Sequence, residues 1–435
     1  MMTPQDHSAR RSQLAQHLPK GAIAIIPAAH EVLRNGDAYY RFRQDSDFYY
    51  LTGFNEPDAL LLITAGENSI SILFSRPRNP AEEQWTGRRL GQEGARAVLG
   101  INEAYPLSDL SLRLPDYLAG MQAVYYAMDR FPDWETRIQN AWRVVKNQVR
   151  QGKQAPEAFC DLAPILGEMR LFKTEAEIQR MKQAGRITVT AHERAMQACL
   201  HAGYEYQLEA EIIHEFTRQG CRSSAYDSIV AGGKNACILH YTENNQPLIP
   251  GELVLIDAGA EFEHYAADVT RTYPINGKFN AEQRLIYALV LRAQQAGIAC
   301  VRPGCAWDEV QRTMVHILTE GLVELGLLKG HLNDLIEKAA YKPFYMHNSG
   351  HWLGMDVHDC GQYKVEGQWR TLQPGMVLTV EPGLYIPEGL DGVDSRWWNI
   401  GVRIEDDILV TPNAHENLTA ALPVEIDDLE ALVRG

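Results

Sequence analysis

Apolar residues follow two rhythms along the chain. Up to about residue 170 they form compact runs of strand length, "GAIAIIPA" from Gly21, "DALLLITAG" from Asp58 and "SISILFSRP" from Ser69, set between polar, turn-rich segments. Such runs, alternating with helical stretches, predict a compact α/β domain. At "RLFKTEAEIQRMKQAGRITVTAHERAM" the spacing changes: Ile178, Met181, Ala184, Ile187 and Ala191 recur at helical intervals. Thr174 followed by Glu177 is a capping-box pair, so a long helix opens a second domain. "YQLEAEIIHEFTRQG", closed by Gly220, is a second helix, and "NAEQRLIYALVLRAQQAG" and "WDEVQRTMVHILTEGLVELG" are two more. A chain of 435 residues exceeds the size at which a single core usually divides, and the change of rhythm places the domains at 1–170 and 171–435.

The second domain also carries strand-like runs, "LVLIDAGA", "AADVTRTYPI", "MVLTVEPG" and "VRIEDDILV". Helices followed by strands in this order predict an α+β fold with an antiparallel sheet. What sets these strands apart is where their acids fall. Strand period two puts Leu253, Leu255 and Asp257 on one face, so a carboxylate ends a packing face. With "EFEHY" as a turn, Asp268 begins a second run that places it close to opposite Asp257. Glu381 ends "MVLTV", and Glu405 follows Ile404 in the same way. A single pair of this kind is more often two exposed turn residues, and Asp406 and Asp407 read as a solvated turn. Four recurrences of the pattern shift the balance toward a site.

If the four carboxylates converge, each like-charge pair about 4 Å apart costs roughly 4 kcal/mol at an effective dielectric of 20. Cations are then required. Two divalent metals would cancel four negative charges and leave room for a bound hydroxide, and an oxygen-rich set with one imidazole favours Mn²⁺, with Co²⁺ or Zn²⁺ as alternatives.

Composition narrows the classes further. The net charge of -15 and a pI near 5.4 disfavour nucleic acid or an anionic membrane as partner, while 45 % hydrophobic and 22 % charged residues are ordinary for a globular chain. No run approaches the length of a transmembrane helix, and the short "AIAII" segment ends at Pro27 with no cleavage pattern behind it. The seven cysteines are odd in number, scattered and in no CxxC pair. They fit thiols in a reducing cytoplasm.

Taken in order, Asp257, Asp268, His351, Glu381 and Glu405, with "HWLGMDVHD", "VEPGLY" and "VRIEDD" around the last three, resemble the five-ligand dinuclear site of the pita-bread metallopeptidases. The resemblance is closest to the bacterial aminopeptidase P branch, the Xaa-Pro aminopeptidases. It extends over essentially the whole chain, with "YRFRQDSDFYYLTGFNEPDALLLI", "RPRNPAEEQWTGRRLG" and "ILHYTENN" as further points of likeness. It implies a C-terminal pita-bread domain behind a smaller α/β domain that serves oligomerisation and substrate gating. It also implies two divalent metals, Mn²⁺ favoured, and hydrolysis of the N-terminal Xaa-Pro bond by a metal-bridging hydroxide.

Carried over residue by residue, the resemblance implies that Asp257 holds one metal, Asp268 and Glu405 bridge both, and His351 and Glu381 complete the other. Glu381 would also transfer the proton to the leaving nitrogen. His240 and His358 would bind substrate and stabilise the tetrahedral intermediate, and His347 would line the proline side. Arg403 would orient carboxylates, Tyr385 would support the site, and Trp85 would reach a neighbouring subunit's active site in a homodimer or homotetramer. Taken alone, Arg403 is more often half of a simple salt bridge, His240 a surface or core histidine, and Trp85 an ordinary core or interface aromatic.

Asn348 and Ser349 depart from the family's usual residues, which bears on the shape of the proline pocket. A prolidase of the same fold would cleave only Xaa-Pro dipeptides, and methionine aminopeptidase would normally lack so large an N-terminal domain. Metal-free pita-bread binding modules, and creatinase, predict missing ligands, whereas all five residues stand here.

Overall fold

The computed structural model describes residues 2–435, and the chain divides into two compact units, 1–169 and 170–435. The N-terminal unit is built on strands β1 (Ala22–Pro27), β4 (Leu60–Thr64), β5 (Ser71–Ser75), β6 (Glu103–Pro106), β7 (Ala123–Tyr126) and β8 (Ala158–Asp161), with a small hairpin of β2 (Leu33–Asn35) and β3 (Ala38–Tyr39). The six-stranded sheet runs β6-β5-β4-β1-β7-β8. β4 pairs antiparallel with β1 and β5, while β1–β7, β5–β6 and β7–β8 are parallel. The apolar runs are continuous because both sheet faces are covered. Ile23, Ile25, Leu60, Leu62 and Phe74 pack with Leu114, Trp134, Ile138 and Val145 of helices Leu110–Leu118 and Pro132–Asn147, while Ala24, Ile26, Leu61, Ile63 and Leu73 are buried on the other face. The β2–β3 hairpin is exposed throughout, as is most of helix Pro80–Thr86, whose Trp85 is 87 % exposed.

In the C-terminal unit the expected helices stand at Glu175–Ala198, Glu205–Arg218, Ala281–Cys300 and Trp307–Glu324. The first begins with the capping box read from the sequence: the Thr174 hydroxyl and backbone N–H both donate to the Glu177 carboxylate, at 2.7 and 2.9 Å. All five residues of its apolar stripe are buried.

Around these helices lie β9 (Ile229–Gly232), β10 (Leu253–Asp257), β11 (Glu261–Phe262), β12 (Tyr265–Ala266), β13 (Thr270–Pro274), β14 (Lys364–Val365), β15 (Gln368–Trp369), β16 (Val377–Val380), β17 (Gly383–Ile386), β18 (Ile400–Arg403), β19 (Asp406–Val410) and β20 (His415–Asn417). Every ladder among them is antiparallel, in the orders β13-β10-β9, β16-β19-β20 and β17-β18.

The structure corrects three details of the sequence reading. Asp257 opposes Thr270, not Asp268, because β11 and β12 lengthen the connection and Asp268 lies just before β13. The run "VRIEDDILV" is two strands, interrupted at Ile404 and Glu405, where the Glu405 N–H turns to the Thr270 carbonyl at 3.1 Å. Asp406 and Asp407 are not a solvated turn. Both are 1 % exposed inside β19, where Asp406 accepts from Arg271 at 2.8 Å and Gln294 at 2.6 Å, and Asp407 faces the Asp268 N–H.

Candidate metal centre

The acids converge because short antiparallel strands end at one place. Asp257 closes β10, Asp268 precedes β13, Glu381 follows β16 and Glu405 sits in the gap between β18 and β19. His351 is brought in by its backbone: its N–H donates to Thr379 Oγ1 at 3.1 Å, and the Thr379 N–H returns to the His351 carbonyl at 2.9 Å. Between them, Gly350 passes so close to β16 that a Cβ would stand 2.2 Å from the Thr379 carbonyl oxygen, so only glycine fits.

Ligand atoms of Asp268, His351 and Glu405 all lie within 4.8 Å of one another. Glu381 joins through His351, whose Nε2 is 3.3 Å from Asp268 Oδ2 and 3.7 Å from Glu381 Oε1. Asp257 joins through Tyr226, whose hydroxyl lies 2.5 Å from Asp257 Oδ1 and 2.5 Å from Asp268 Oδ1. Arg403 anchors the far side, donating to Asp257 Oδ2 at 2.6 Å, to the Tyr385 hydroxyl at 3.0 Å and to Thr270 Oγ1 at 3.2 Å. Thr270 in turn donates to Glu405 Oε2 at 2.6 Å.

The electrostatics show what the cluster lacks. Burial raises the pKa of Glu381 to about 7 against the pull of His351, and burial together with neighbouring acids lifts Asp257 and, much further, Glu405. Burial also opposes ionisation of Asp268, but bonds from His351 and Tyr226 hold its pKa below the ordinary value. Burial alone would lower His351, yet the Asp268 and Glu381 carboxylates lift it to about 9. An imidazolium thus partly supplies the positive charge that four carboxylates demand, with Arg403 as a buried cation bonded directly to one of them.

These residues fit divalent metal ions. The Tyr226 hydroxyl has one hydrogen and two carboxylate oxygens at 2.5 Å, so one of those close contacts lacks a proton unless a cation or a protonated acid intervenes. The His351 Nδ1 lies 3.0 Å from the Trp352 carbonyl, which fixes the ring so that Nε2, the ligating nitrogen, faces the acids. Carboxylate oxygens with one imidazole are the donor set of a hard or borderline divalent ion.

A cavity of about 830 Å³ opens onto the cluster, within the range of small-ligand sites. His240, His347 and His358 line it. The His347 Nε2 meets the Tyr385 hydroxyl at 2.8 Å, and burial with the nearby Arg403 charge lowers its pKa to about 4, leaving a neutral ring. His358 packs edge-on against His351 with centroids 4.3 Å apart, and burial followed by that neighbour's charge lowers its pKa. Asn348 and Ser349 also line the cavity, and Ser349 is buried against the Tyr345 hydroxyl while its N–H donates to Gln311 at 2.6 Å. Of the residues singled out in the sequence, Trp85 alone lies in the N-terminal unit.

Sequence reasoning missed Tyr226 and Asp407. Tyr226 stands in "SSAYDSIV", where nothing in the local pattern marks it, while Asp407 was hidden in a run of three acids. Thr270, inside the run that follows Asp268, ties Glu405 to Arg403.

Residues 179–412 match metallopeptidase family M24, and residues 7–125 match the aminopeptidase P N-terminal domain. The Xaa-Pro aminopeptidase of Escherichia coli is 45 % identical over 431 residues, covering 99 % of this chain and 97 % of that protein. The structure of Pseudomonas aeruginosa aminopeptidase PepP superposes with a TM-score of 0.97 at 45 % identity, over 100 % of this chain and 98 % of that one. A zinc-substituted Escherichia coli aminopeptidase P in complex with product gives 0.97 at 44 % identity, over 100 % and 98 % of the two chains.

Proposed function

The chain belongs to metallopeptidase family M24, and we propose that it hydrolyses the N-terminal Xaa-Pro bond of peptides. It is a metalloaminopeptidase with a pita-bread catalytic domain that uses divalent metal ions and acts on peptides. The observation that carries this reading is the buried convergence of four carboxylates and one inward-facing imidazole, too negative to stand without cations, at the floor of a cavity of peptide size.

Asp257, Asp268, His351, Glu381 and Glu405 are the proposed ligands that would hold two divalent ions. When bound, the ions polarise the scissile carbonyl and acidify water. The protein's side chains do the rest. A carboxylate oxygen of Glu381 takes the proton from water and passes it to the departing proline nitrogen, a role suited to an acid whose pKa burial has brought near neutrality. His240 and His358 meet the carbonyl oxygen as it gains charge. The neutral His347 ring, held by Tyr385, forms a wall of the proline side. Arg403, through its 2.6 Å bond, opposes the rise that burial causes in the Asp257 pKa and holds that carboxylate in place.

An Xaa-Pro bond calls for such a site because its nitrogen has no hydrogen to offer and the ring restricts the residue before it. Recognition by ring shape, activation of the carbonyl and an acidic environment for the free α-amine avoid dependence on that N–H. Mn²⁺ is the proposed cellular ion, supported by the oxygen-rich donor set; the zinc-substituted relative shows that zinc can occupy such a site.

The N-terminal domain, with the exposed Trp85 and the exposed β2–β3 hairpin, is proposed as the oligomerisation and gating element of a homodimer or homotetramer, with Trp85 reaching a neighbouring subunit's site. Among the described residues no helix is long and apolar enough to cross a membrane. A cytoplasmic location is proposed from the seven free thiols.

The test is turnover of Ala-Pro-Ala and Ala-Pro by chelated protein with and without added Mn²⁺. Metal-dependent release of alanine from the tripeptide is expected. Strict preference for the dipeptide would instead indicate a prolidase, and metal-independent behaviour with no bound metal in elemental analysis would indicate a binding module.

A further inference from the structure

Glu205 is a carboxylate at the first turn of helix Glu205–Arg218, wholly buried and outside the metal cluster. It accepts four hydrogen bonds. The Gly232 N–H and Asn235 Nδ2 donate to Oε1 at 2.8 and 2.9 Å, and the Tyr241 hydroxyl and Gln246 N–H donate to Oε2 at 2.7 and 2.9 Å. Its own N–H donates to the Gln246 carbonyl at 3.0 Å. Neutral donors thus fill both oxygens of a buried carboxylate, at the positive end of a helix.

Those four donors are the two ends and the middle of one loop. β9 ends at Gly232, a short 3-10 turn covers Gly233–Cys237, and irregular chain then carries Leu239, His240 and Thr242 along the cavity wall. The His240 side chain is exposed to that cavity, so its place follows from its backbone. On one side its neighbour Tyr241 is tied to Glu205. Three residues further, Asn244, at φ 46°, accepts from the Val230 N–H at 2.9 Å and donates to the Ser228 carbonyl at 2.8 Å. Burial, reinforced by the Glu205 bond and charge, pushes the Tyr241 phenol up to about 12, so it remains a donor at neutral pH.

We propose that Glu205 is a positioning residue for catalysis: through Tyr241, Asn235 and the Gly232 and Gln246 amides it fixes the loop that presents His240 to the substrate carbonyl. This rests on the peptidase reading and on the role of His240 within it. A displacement of about an ångström at a reacting group can cost ~100-fold in rate, so a loop without regular hydrogen bonding needs such an anchor.

The experiment is a double-mutant cycle of Tyr241→Phe with His240→Ala in the full-length, metal-loaded enzyme on Ala-Pro-Ala, with Glu205→Gln as the larger perturbation. Gln preserves shape but turns an amide N–H toward two of the four donors. Tyr241→Phe is expected to lower kcat/KM about tenfold in the parent and less than about twofold in the His240→Ala background. Glu205→Gln is expected to lower kcat/KM about 100-fold at unchanged metal content, and to speed amide exchange of the 238–246 peptide about tenfold. Equal losses in both backgrounds, or unchanged turnover in His240→Ala, overturn the proposal. Parent-like exchange in Glu205→Gln also overturns it, whatever the turnover. Should that variant fail to fold, Tyr241→Phe decides through the same exchange and kinetic readings. Inactivity of the unmodified metal-loaded enzyme on the tripeptide would strike the peptidase reading itself.

Discussion

The Gln44 and Arg11 networks of the N-terminal unit and the carboxylate cluster of the C-terminal unit bury polar groups in opposite ways. In the N-terminal unit Gln44, Arg11, Asp45 and Asp47 find matching partners within the fold. Gln44 uses all four positions of its amide, accepting from the Ala29 and Asp45 N–H groups at 2.8 and 2.9 Å and donating to the Phe54 and Glu56 carbonyls at 3.2 and 2.8 Å. Arg11 spreads its guanidinium over the Leu51, Leu99 and Gly100 carbonyls, and Asp45 and Asp47 share Arg130. In the C-terminal unit Asp257, Asp268, Glu381, Glu405 and Asp407 crowd together with Arg403 and His351 as their cations. Satisfied burial signals architecture. Unsatisfied burial of one sign signals a ligand, because no chain keeps several desolvated carboxylates side by side for stability.

The largest effect expected from breaking this contrast lies at the acid with a chemical role. Glu381→Gln keeps the shape of the side chain but removes the group that moves the proton. Turnover of Ala-Pro-Ala at saturating Mn²⁺ should fall by about 10²- to 10⁴-fold. Turnover at the parent's level would remove Glu381 from that role.

How much of this was legible beforehand divides along the same line. The long helices announced themselves through local signals: the Thr174 and Glu177 pair sits three residues apart, and the apolar stripe behind it repeats every turn. The strand-ending acids were also visible, since a carboxylate where packing is expected is a local anomaly. The fate of Asp406 was not, because its partner Arg271 lies 135 residues away and "EDD" looks hydrophilic in isolation. The same holds for Tyr226, which becomes meaningful only once Asp257 and Asp268 stand on either side of its hydroxyl. The break in "VRIEDDILV" follows from the Glu405 N–H leaving its own strand for Thr270, a contact that no spacing rule encodes.

A second, smaller effect tests the closed economy of the N-terminal unit. Gln44→Ala would strand two backbone N–H groups and two carbonyls in a buried place, at about 1 kcal/mol or more for each group left unmade. A loss of about 4 kcal/mol in denaturant unfolding of that unit is expected, with kcat on the tripeptide changed less than about twofold. A loss below about 0.5 kcal/mol would show that water reaches Gln44 and that the contrast between the units is weaker than drawn.

His7 gives that unit a pH signature. Burial is the main cause that lowers its pKa to about 4, only partly offset by its bond to the Tyr50 carbonyl at 3.0 Å. The folded state therefore keeps the ring neutral while the unfolded chain, with an ordinary value near 6.5, takes up a proton first. Stability contributed by the neutral ring is present above about pH 6.5 and declines as pH falls toward 4, by about 2 kcal/mol at pH 5. His7→Gln should flatten that part of the pH profile in a comparison of melting curves. Parallel profiles for the two proteins would show that His7 titrates as an exposed residue does.

The smallest effect should carry the opposite sign, and it separates the two kinds of burial most sharply. Glu405→Gln removes one member of the carboxylate cluster while keeping an acceptor for the Thr270 hydroxyl. In the presence of a chelator the parent must bury Glu405 beside Asp268, Glu381 and Asp257, whose charges all disfavour its ionisation. Relief of that repulsion should stabilise the chelated variant by about 1 kcal/mol over the chelated parent, read as a higher melting temperature at pH 8. Added Mn²⁺ should reverse the order, since ions that bind only the folded parent raise its stability and the variant lacks a shared ligand. Gln44→Ala admits no such reversal, because its partners are backbone groups that no ion replaces. If the chelated Glu405→Gln protein melted below the parent, the cluster would be held by its hydrogen bonds, as Gln44 is, and its acids would not be waiting for a cation.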